Sequence, residues 1–446
     1  TAVKCLMQYE DGRTTAQEVF FSKARTEDPY EIWQADFSIH QEGLYFYYYY
    51  IDTPSGGFRL FKQGDDTNME AGALWQVSCV EDKYPVPEYA RGAVMYQIFP
   101  DRFYQSGTCD CTGKLQPYWV HEDKSDTPVF RPDANGKVWN NDFYGGNQKN
   151  HPPKHPLFIR EKLPYLQDLG VEILYLNPIF FAFSTHRYDT CDYGRIDPML
   201  GTEADFKALC RDAHERGMKV ILDGVFSHVG SRSRYFQDAV SNPESPYRSW
   251  FDFKHYPDVY TSWWGITDLP CVNKDNEDFL RYIIDAEDSI AVHWLRAGAD
   301  GWRLDVVDEL PDSFVLRLRD RIRKEKPDAL LIGEVWEDAS NKVAYGVRRK
   351  YFTSRELDSV MNYPWQKEIL RYVRGDADGA ALGERIMALA ENYPADVLSC
   401  VMNILSTHDT PRAINALLDP KDGDREELAK RHFSQEDLAR GKALLR

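Results

Sequence analysis

Gly298-Ala299-Asp300-Gly301-Trp302-Arg303-Leu304-Asp305 (residues 298–305) is where the fold can be read. Before it, a helical pattern from about 277 to 297 carries Phe279, Ile283, Ile284 and Leu295 on its apolar stripe, and Gly298 stops it. After it comes a short strand that ends in charge. The two-residue period of a strand puts Arg303 and Asp305 on one face and Trp302 and Leu304 on the other. A helix feeding an apolar strand, with its charge at the carboxyl end, is one unit of a parallel sheet covered by helices.

The same unit recurs along the chain. Short apolar runs at 93–98, 171–176, 219–223, 301–305, 329–334, 357–361 and 399–404 read as strands, with helices between them. One helix has Thr202 as its cap, Phe206, Leu209, Cys210 and Ala213 as its stripe and Gly217 at its end. Seven such units predict a (β/α)8 barrel, a TIM barrel, over residues 89–446. The eighth unit is missing from this pattern; the final segment, 425–446, reads as a helix with Leu428, His432, Phe433, Leu438, Leu444 and Leu445 on it. A strand from outside this numbering is therefore expected between the first and seventh, because unpaired buried backbone groups are costly. The aromatic stretch 229–275 is too long for an ordinary connection and is expected to lie over the barrel mouth.

Residues 1–88 have a different rhythm. Alternating runs such as Gly43 to Ile51, separated by turn clusters such as Thr53-Pro54-Ser55-Gly56-Gly57, predict a small antiparallel β-sandwich. Lys83-Tyr84-Pro85-Val86-Pro87-Glu88 reads as the linker, since proline cannot donate to a ladder.

Composition narrows the partners. With 54 basic and 71 acidic residues among 446 the net charge is −17, which argues against nucleic acid or an anionic membrane surface as a partner. No apolar run approaches the ~20 residues that span a bilayer. The eight cysteines lack paired spacing and fit free thiols in a reducing compartment, so a cytoplasmic location is expected, with secretion the alternative if the amino terminus is a processed one. Cys109 and Cys111 have no second pair to complete a zinc site, and no metal ligand set is assigned.

The chemistry is expected where strands end. The third strand ends at Asp223, with His228 just beyond; the fourth at Asp305; the fifth at Glu334; the seventh leads to His408-Asp409. A lone aspartate is ordinarily a cap or a surface charge. Acids on four strand ends converge and repel, and burying them is costly, so they require a function. Arg303 on the face of Asp305 is expected to keep it ionised. A pair of carboxyls, one ionised and one protonated, suits glycosidic cleavage, and Trp263, Trp264, Trp336, Tyr188 and Tyr193 are expected to line the mouth as sugar-stacking surfaces.

Asp223-Gly224-Val225-Phe226-Ser227-His228, Gly301-Trp302-Arg303-Leu304-Asp305, Gly333-Glu334-Val335-Trp336 and Ser406-Thr407-His408-Asp409 resemble, in order, the four strand-end motifs of the α-amylase family of glycoside hydrolases. The likeness is to its neopullulanase, cyclomaltodextrinase and maltogenic amylase group, and the first domain resembles the starch-binding sandwich found there. The resemblance implies that Asp305 is the nucleophile, Glu334 the general acid/base and Asp409 the third carboxylate that distorts the sugar. It implies that Tyr188, His228, Arg303, Trp336 and His408 bind substrate and that Asp223 supports them.

The implied activity is retaining hydrolysis of α-1,4 bonds, with α-1,6 bonds an open addition, in maltodextrins, cyclodextrins or pullulan. Two alternatives are an α-glucan transglycosylase, in which a sugar hydroxyl resolves the intermediate, and a catalytically inactive glucan-binding relative. The resemblance also implies a homodimer for the complete protein. No cofactor is expected to be required; calcium is the inorganic candidate. Its loop in relatives is depleted here, with Tyr104-Gln105-Ser106 after Asp101-Arg102-Phe103 and Asn147 after Gly145-Gly146. Leu269-Pro270-Cys271-Val272-Asn273 also departs from the group's Met-Pro-Lys-Leu-Asn.

Overall fold

The computed structural model describes residues 1–104, 113–115, 159–419 and 432–445 except 12, 65 and 82, with the backbone of four two-residue strands between 119 and 143. Its amino-terminal part is antiparallel throughout. Strands β1 (Ala2–Tyr9), β2 (Thr15–Glu27), β3 (Tyr30–Gln34), β4 (Gly43–Thr53), β5 (Gly56–Gln63) and β6 (Asp66–Asn68) follow the order β3-β2-β1-β4-β5-β6, and β7 (Trp75–Cys79) pairs with β4. The seven strands are linked through the long β4, whose Gly43–Tyr47 half pairs with β7 and whose Tyr49–Thr53 half pairs with β5. Its tyrosines alternate between faces, Tyr47 stacking on Trp75 and Tyr48 on Phe61.

The proline-rich stretch that follows is bound to the barrel. Tyr84 is 2% exposed, its amide donates to Asp396 Oδ2 (2.8 Å) and its hydroxyl to the Leu357 carbonyl (2.7 Å). Arg323 donates to the Pro85 carbonyl at 2.9 Å.

Six parallel strands then pair in chain order: Met95–Ile98, Ile173–Leu176, Lys219–Gly224, Gly301–Leu304, Leu330–Gly333 and Ser359–Val360. Sequential parallel pairing with intervening helices is TIM-barrel topology. The seventh strand read at 399–404 is corrected: it contributes one parallel bridge, Met361 with Met402. Its start is taken by the helix Ala395–Leu398, whose cap is Ser399. The first strand and this segment do not pair as strands; the Gly92 amide donates to the Ser399 carbonyl at 2.8 Å. No strand among the described residues lies between them.

The helix Glu203–His214 has the expected stripe buried and a reciprocal cap between Thr202 and Asp205. The helix read over 277–297 is broken into Glu277–Leu280, a π-turn at Arg281–Asp285 and Ile290–Arg296. Ser289 caps the second part and returns its hydroxyl to the Ile284 carbonyl. Its carboxyl end needs glycine, since a Cβ on Gly298 (φ +125) would lie 2.6 Å from the Cβ of Cys210. In the final segment Gln435–Leu444 is helical, while Leu428 lies outside the described residues.

Alternation along the strands divides the core. Leu174, Leu222, Trp302, Leu304 and Leu331 pack outward against helices, whereas Ile173, Tyr175, Ile221, Leu330, Ile332 and Met402 fill the barrel. Asp223, Asp305 and Glu334 continue the inward rows to the strand ends. Above them the 229–275 stretch carries a helix, Arg234–Ser241, and a small hairpin, and returns to the strand end through bridges of His228 with Cys271 and Phe251 with Val272.

Candidate active site

Arg303 is the centre of the mouth. It is fully buried, and its Nη1 donates to Asp223 Oδ1 (2.8 Å) and Asp305 Oδ1 (2.9 Å) while Nη2 lies 2.8 Å from Glu334 Oε2. One guanidinium therefore faces three carboxyls that are 1%, 7% and 5% exposed. Burial drives Asp305 well above the usual carboxylate range; Arg303 opposes this, and Glu334 and Asp223 add to it. Arg303 is shared among three carboxyls, so it opposes, without cancelling, the rise that burial gives Asp305. Burial likewise raises Asp223, against the guanidinium and the hydroxyls of Tyr175 (2.6 Å) and Tyr188 (2.8 Å), which both donate to its Oδ2.

Glu334 is held from two sides. Its Oε2 accepts the Val306 amide (2.8 Å) and its Oε1 the indole of Trp336 (2.9 Å). Trp336, 45% exposed, stacks on Tyr363 with centroids 3.9 Å apart. Tyr188 stacks on His408 at 5.2 Å, nearly coplanar. Gln97 and Asn177 amides lie 2.9 and 3.1 Å from His408 Nδ1, which leaves its Nε2 to donate to Asp409 Oδ2 at 3.0 Å. Asp409 thus stands at the rim, a third exposed, joined to the cluster through His408 and Tyr188. His228 is buried, its Nδ1 2.8 Å from Ser227 Oγ and its Nε2 without a hydrogen-bond partner. Burial lowers its pKa to about 3, so the ring is neutral.

The aromatic lining divides. Trp263 packs on His228 (5.4 Å) and on Trp264, which is 76% exposed. Tyr193 is corrected: it is fully buried, with its hydroxyl on the Val225 and His228 carbonyls, and braces the strand end from within. Sequence reasoning missed Gln97, Tyr175, Asn177 and Tyr363. A polar inward position within an apolar strand is the signal that identifies Tyr175.

After the first barrel strand, Asp101 pairs with Arg187, and Asp197 takes the Lys114 ammonium (2.5 Å) and Arg187 Nε (3.3 Å). These carboxylates already have cationic partners. Cys109, Cys111, Gln105, Ser106 and Gly145 to Asn147 lie outside the described residues. The described cysteines are free. Among the described residues no group of three or more His, Cys, Asp or Glu is arranged for a metal, and no helix is long and apolar enough to cross a membrane.

The catalytic-domain profile of alpha amylase matches residues 97–442, which takes in every carboxylate of the cluster. The chain belongs to the alpha-amylase family. Among its relatives, the amylopullulanase of Thermoanaerobacterium saccharolyticum is 33% identical over 87% of this chain and 34% of its own length. The intracellular maltogenic amylase of Bacillus subtilis (strain 168) is 35% identical over 75% of this chain and 52% of its own. The chain therefore spans about a third to a half of these relatives. The solved type III pullulan hydrolase from Thermococcus kodakarensis superposes with a TM-score of 0.65 at 28% identity, covering 100% of this chain and 73% of that one. In this alpha-amylase domain, the four motifs converge as the barrel topology requires.

Proposed function

We propose that the protein is a retaining α-glucan hydrolase. The observation that carries this reading is the set of three buried carboxyls, Asp223, Asp305 and Glu334, gathered on Arg303 at the strand ends. In this reading Asp305 attacks the anomeric carbon as Glu334 gives its proton to the glycosidic oxygen, and the glycosidic bond breaks. Glu334 then takes a proton from water, which attacks the same carbon and releases Asp305.

The other residues serve the sugar. Asp409, on the rim with His408, presses on the ring that Tyr188 supports from below. The free Nε2 of neutral His228 takes a sugar hydroxyl, and Trp336 stacks on the leaving-group side. No cofactor takes part in these steps. Relatives named cyclomaltodextrinase, neopullulanase and maltogenic amylase support maltodextrins, cyclodextrins or pullulan as substrates, and the intracellular maltogenic amylase supports a cytoplasmic location. The complete protein is proposed to be a homodimer.

Incubation with β-cyclodextrin, pullulan and starch, followed by chromatography, tests the activity. Short malto-oligosaccharides are expected; products longer than the donor assign a transglycosylase, and unchanged substrates refute catalysis.

A further inference from the structure

Val306 follows the proposed nucleophile and has a left-handed backbone, φ +36 and ψ 60. A β-branched side chain rarely adopts this conformation, and one that does must be held there by its surroundings. The holders are visible. Asp305 donates its amide to the Gly224 carbonyl at 3.1 Å, fixing one side of the turn. On the other side Arg349 donates to the Val307 and Leu310 carbonyls, while Lys342 (3.0 Å) and the Tyr351 hydroxyl (2.6 Å) hold Asp308. Trp264 and Tyr345 both donate to Glu309. The turn is clamped from both sides, and the strained residue within it aims its N–H at Glu334 Oε2.

From this geometry we infer that Val306 is a positioning residue whose amide sets the proton affinity of Glu334 and selects the oxygen that carries the proton. The inference rests on the acid/base role proposed for Glu334. Oε2 is committed to the Val306 amide and faces Arg303 Nη2, so protonation there would lose both interactions. Oε1 has only the Trp336 indole, a half-exposed group that can yield to an incoming sugar. The transferable proton therefore sits on Oε1. Asp305, Tyr175 and Tyr363 also face this carboxyl without a bond to either oxygen, and Arg303 Nη2 lies on the same oxygen as the amide, so the two together mark Oε2.

The test replaces the Val306 amide by an ester, installing 2-hydroxyisovaleric acid at position 306 in the full protein. Loss of a donor to the carboxylate raises the pKa of Glu334, so the alkaline limb of kcat/KM on maltotriose should move up by about one pH unit. A limb at the wild-type pH overturns the proposal. A second measurement needs no altered backbone: the Val306 amide proton, observed by 15N-selective NMR, should titrate with the kinetic alkaline limb and lose that titration in Glu334→Gln. A flat titration in wild type overturns the proposal equally. Full activity in Glu334→Gln would refute the acid/base reading itself, while the wild-type titration would still report the hydrogen bond.

Discussion

Asp300 and Asp305 stand at opposite ends of one barrel strand and have opposite electrostatics. At the base, buried Asp300 accepts from His214 (2.7 Å), Lys326 (2.6 Å) and the Val220 amide (2.8 Å), with Lys219 at 3.4 Å. Burial alone would raise its pKa, but the bonds from His214 and Lys326 outweigh it and bring the value to about 2. At the mouth, Asp305 shares a single guanidinium with two other carboxyls and is raised. Two lysines and a histidine about one acid hold it in the carboxylate form; one guanidinium shared by three acids leaves Asp305 raised. The same residue type serves the barrel in one place and, in the proposed mechanism, the reaction in the other.

The largest expected effect breaks the mouth alone. Asp305→Asn and Glu334→Gln should each reduce turnover by roughly 10³-fold or more, measured as kcat on β-cyclodextrin. Calorimetry should show a melting temperature that holds or rises in Asp305→Asn. The sign follows from Asp305's raised folded pKa: the folded state binds more protons there than the unfolded one, so this carboxyl costs stability as the pH climbs above the ordinary range.

Asp300→Asn should do the reverse. Its folded pKa is depressed from 3.8 to about 2, worth about 2 kcal/mol at neutral pH. That stability is fully present above the unfolded value and is lost as the pH falls from about 4 to about 2. Urea unfolding at pH 7 should show the deficit with kcat within twofold of wild type, and at pH 2 variant and wild type should converge. A loss of turnover without a loss of stability would erase the contrast between the two ends.

Tyr188→Phe sharpens the comparison within the mouth. It removes one donor from Asp223 and keeps the ring on His408. A fall in kcat/KM of about tenfold is expected, the cost of one hydrogen bond to a charged group. The smallest effect should come from chelation: dialysis against EDTA is expected to leave turnover within a factor of two, because the proposed steps use carboxylates, arginine and histidine alone. A complete, calcium-reversible loss would contradict that.

Much of the site was legible because period and position act locally. Arg303 and Asp305 share a face by strand alternation, and strand ends gather Asp223, Asp305 and Glu334 whatever the intervening loops do. What escaped depends on contacts between distant segments. Tyr193 sits near the mouth in sequence, yet its ring is consumed by Phe180, Phe226 and Tyr235 packing. The raised pKa of Asp305 required knowing that Glu334 and Asp223 share its arginine. Among the elements, the helix over 277–297 kept its apolar stripe through a break at Ala286 to Ser289, so periodicity alone could not show the π-turn. The segment 399–404 is as apolar as a strand, but pairing on one side gives it a single bridge.

The central claim, that Asp305 is the nucleophile of a retaining reaction, is tested most directly by trapping. Wild-type protein would be incubated with 5-fluoro-α-D-glucosyl fluoride, digested with pepsin and sequenced by mass spectrometry. The account predicts a glycosyl ester on Asp305, with proton NMR of uninhibited reactions showing α-anomers as first products. An ester on Glu334 or Asp409, or β-anomers appearing first, would contradict it.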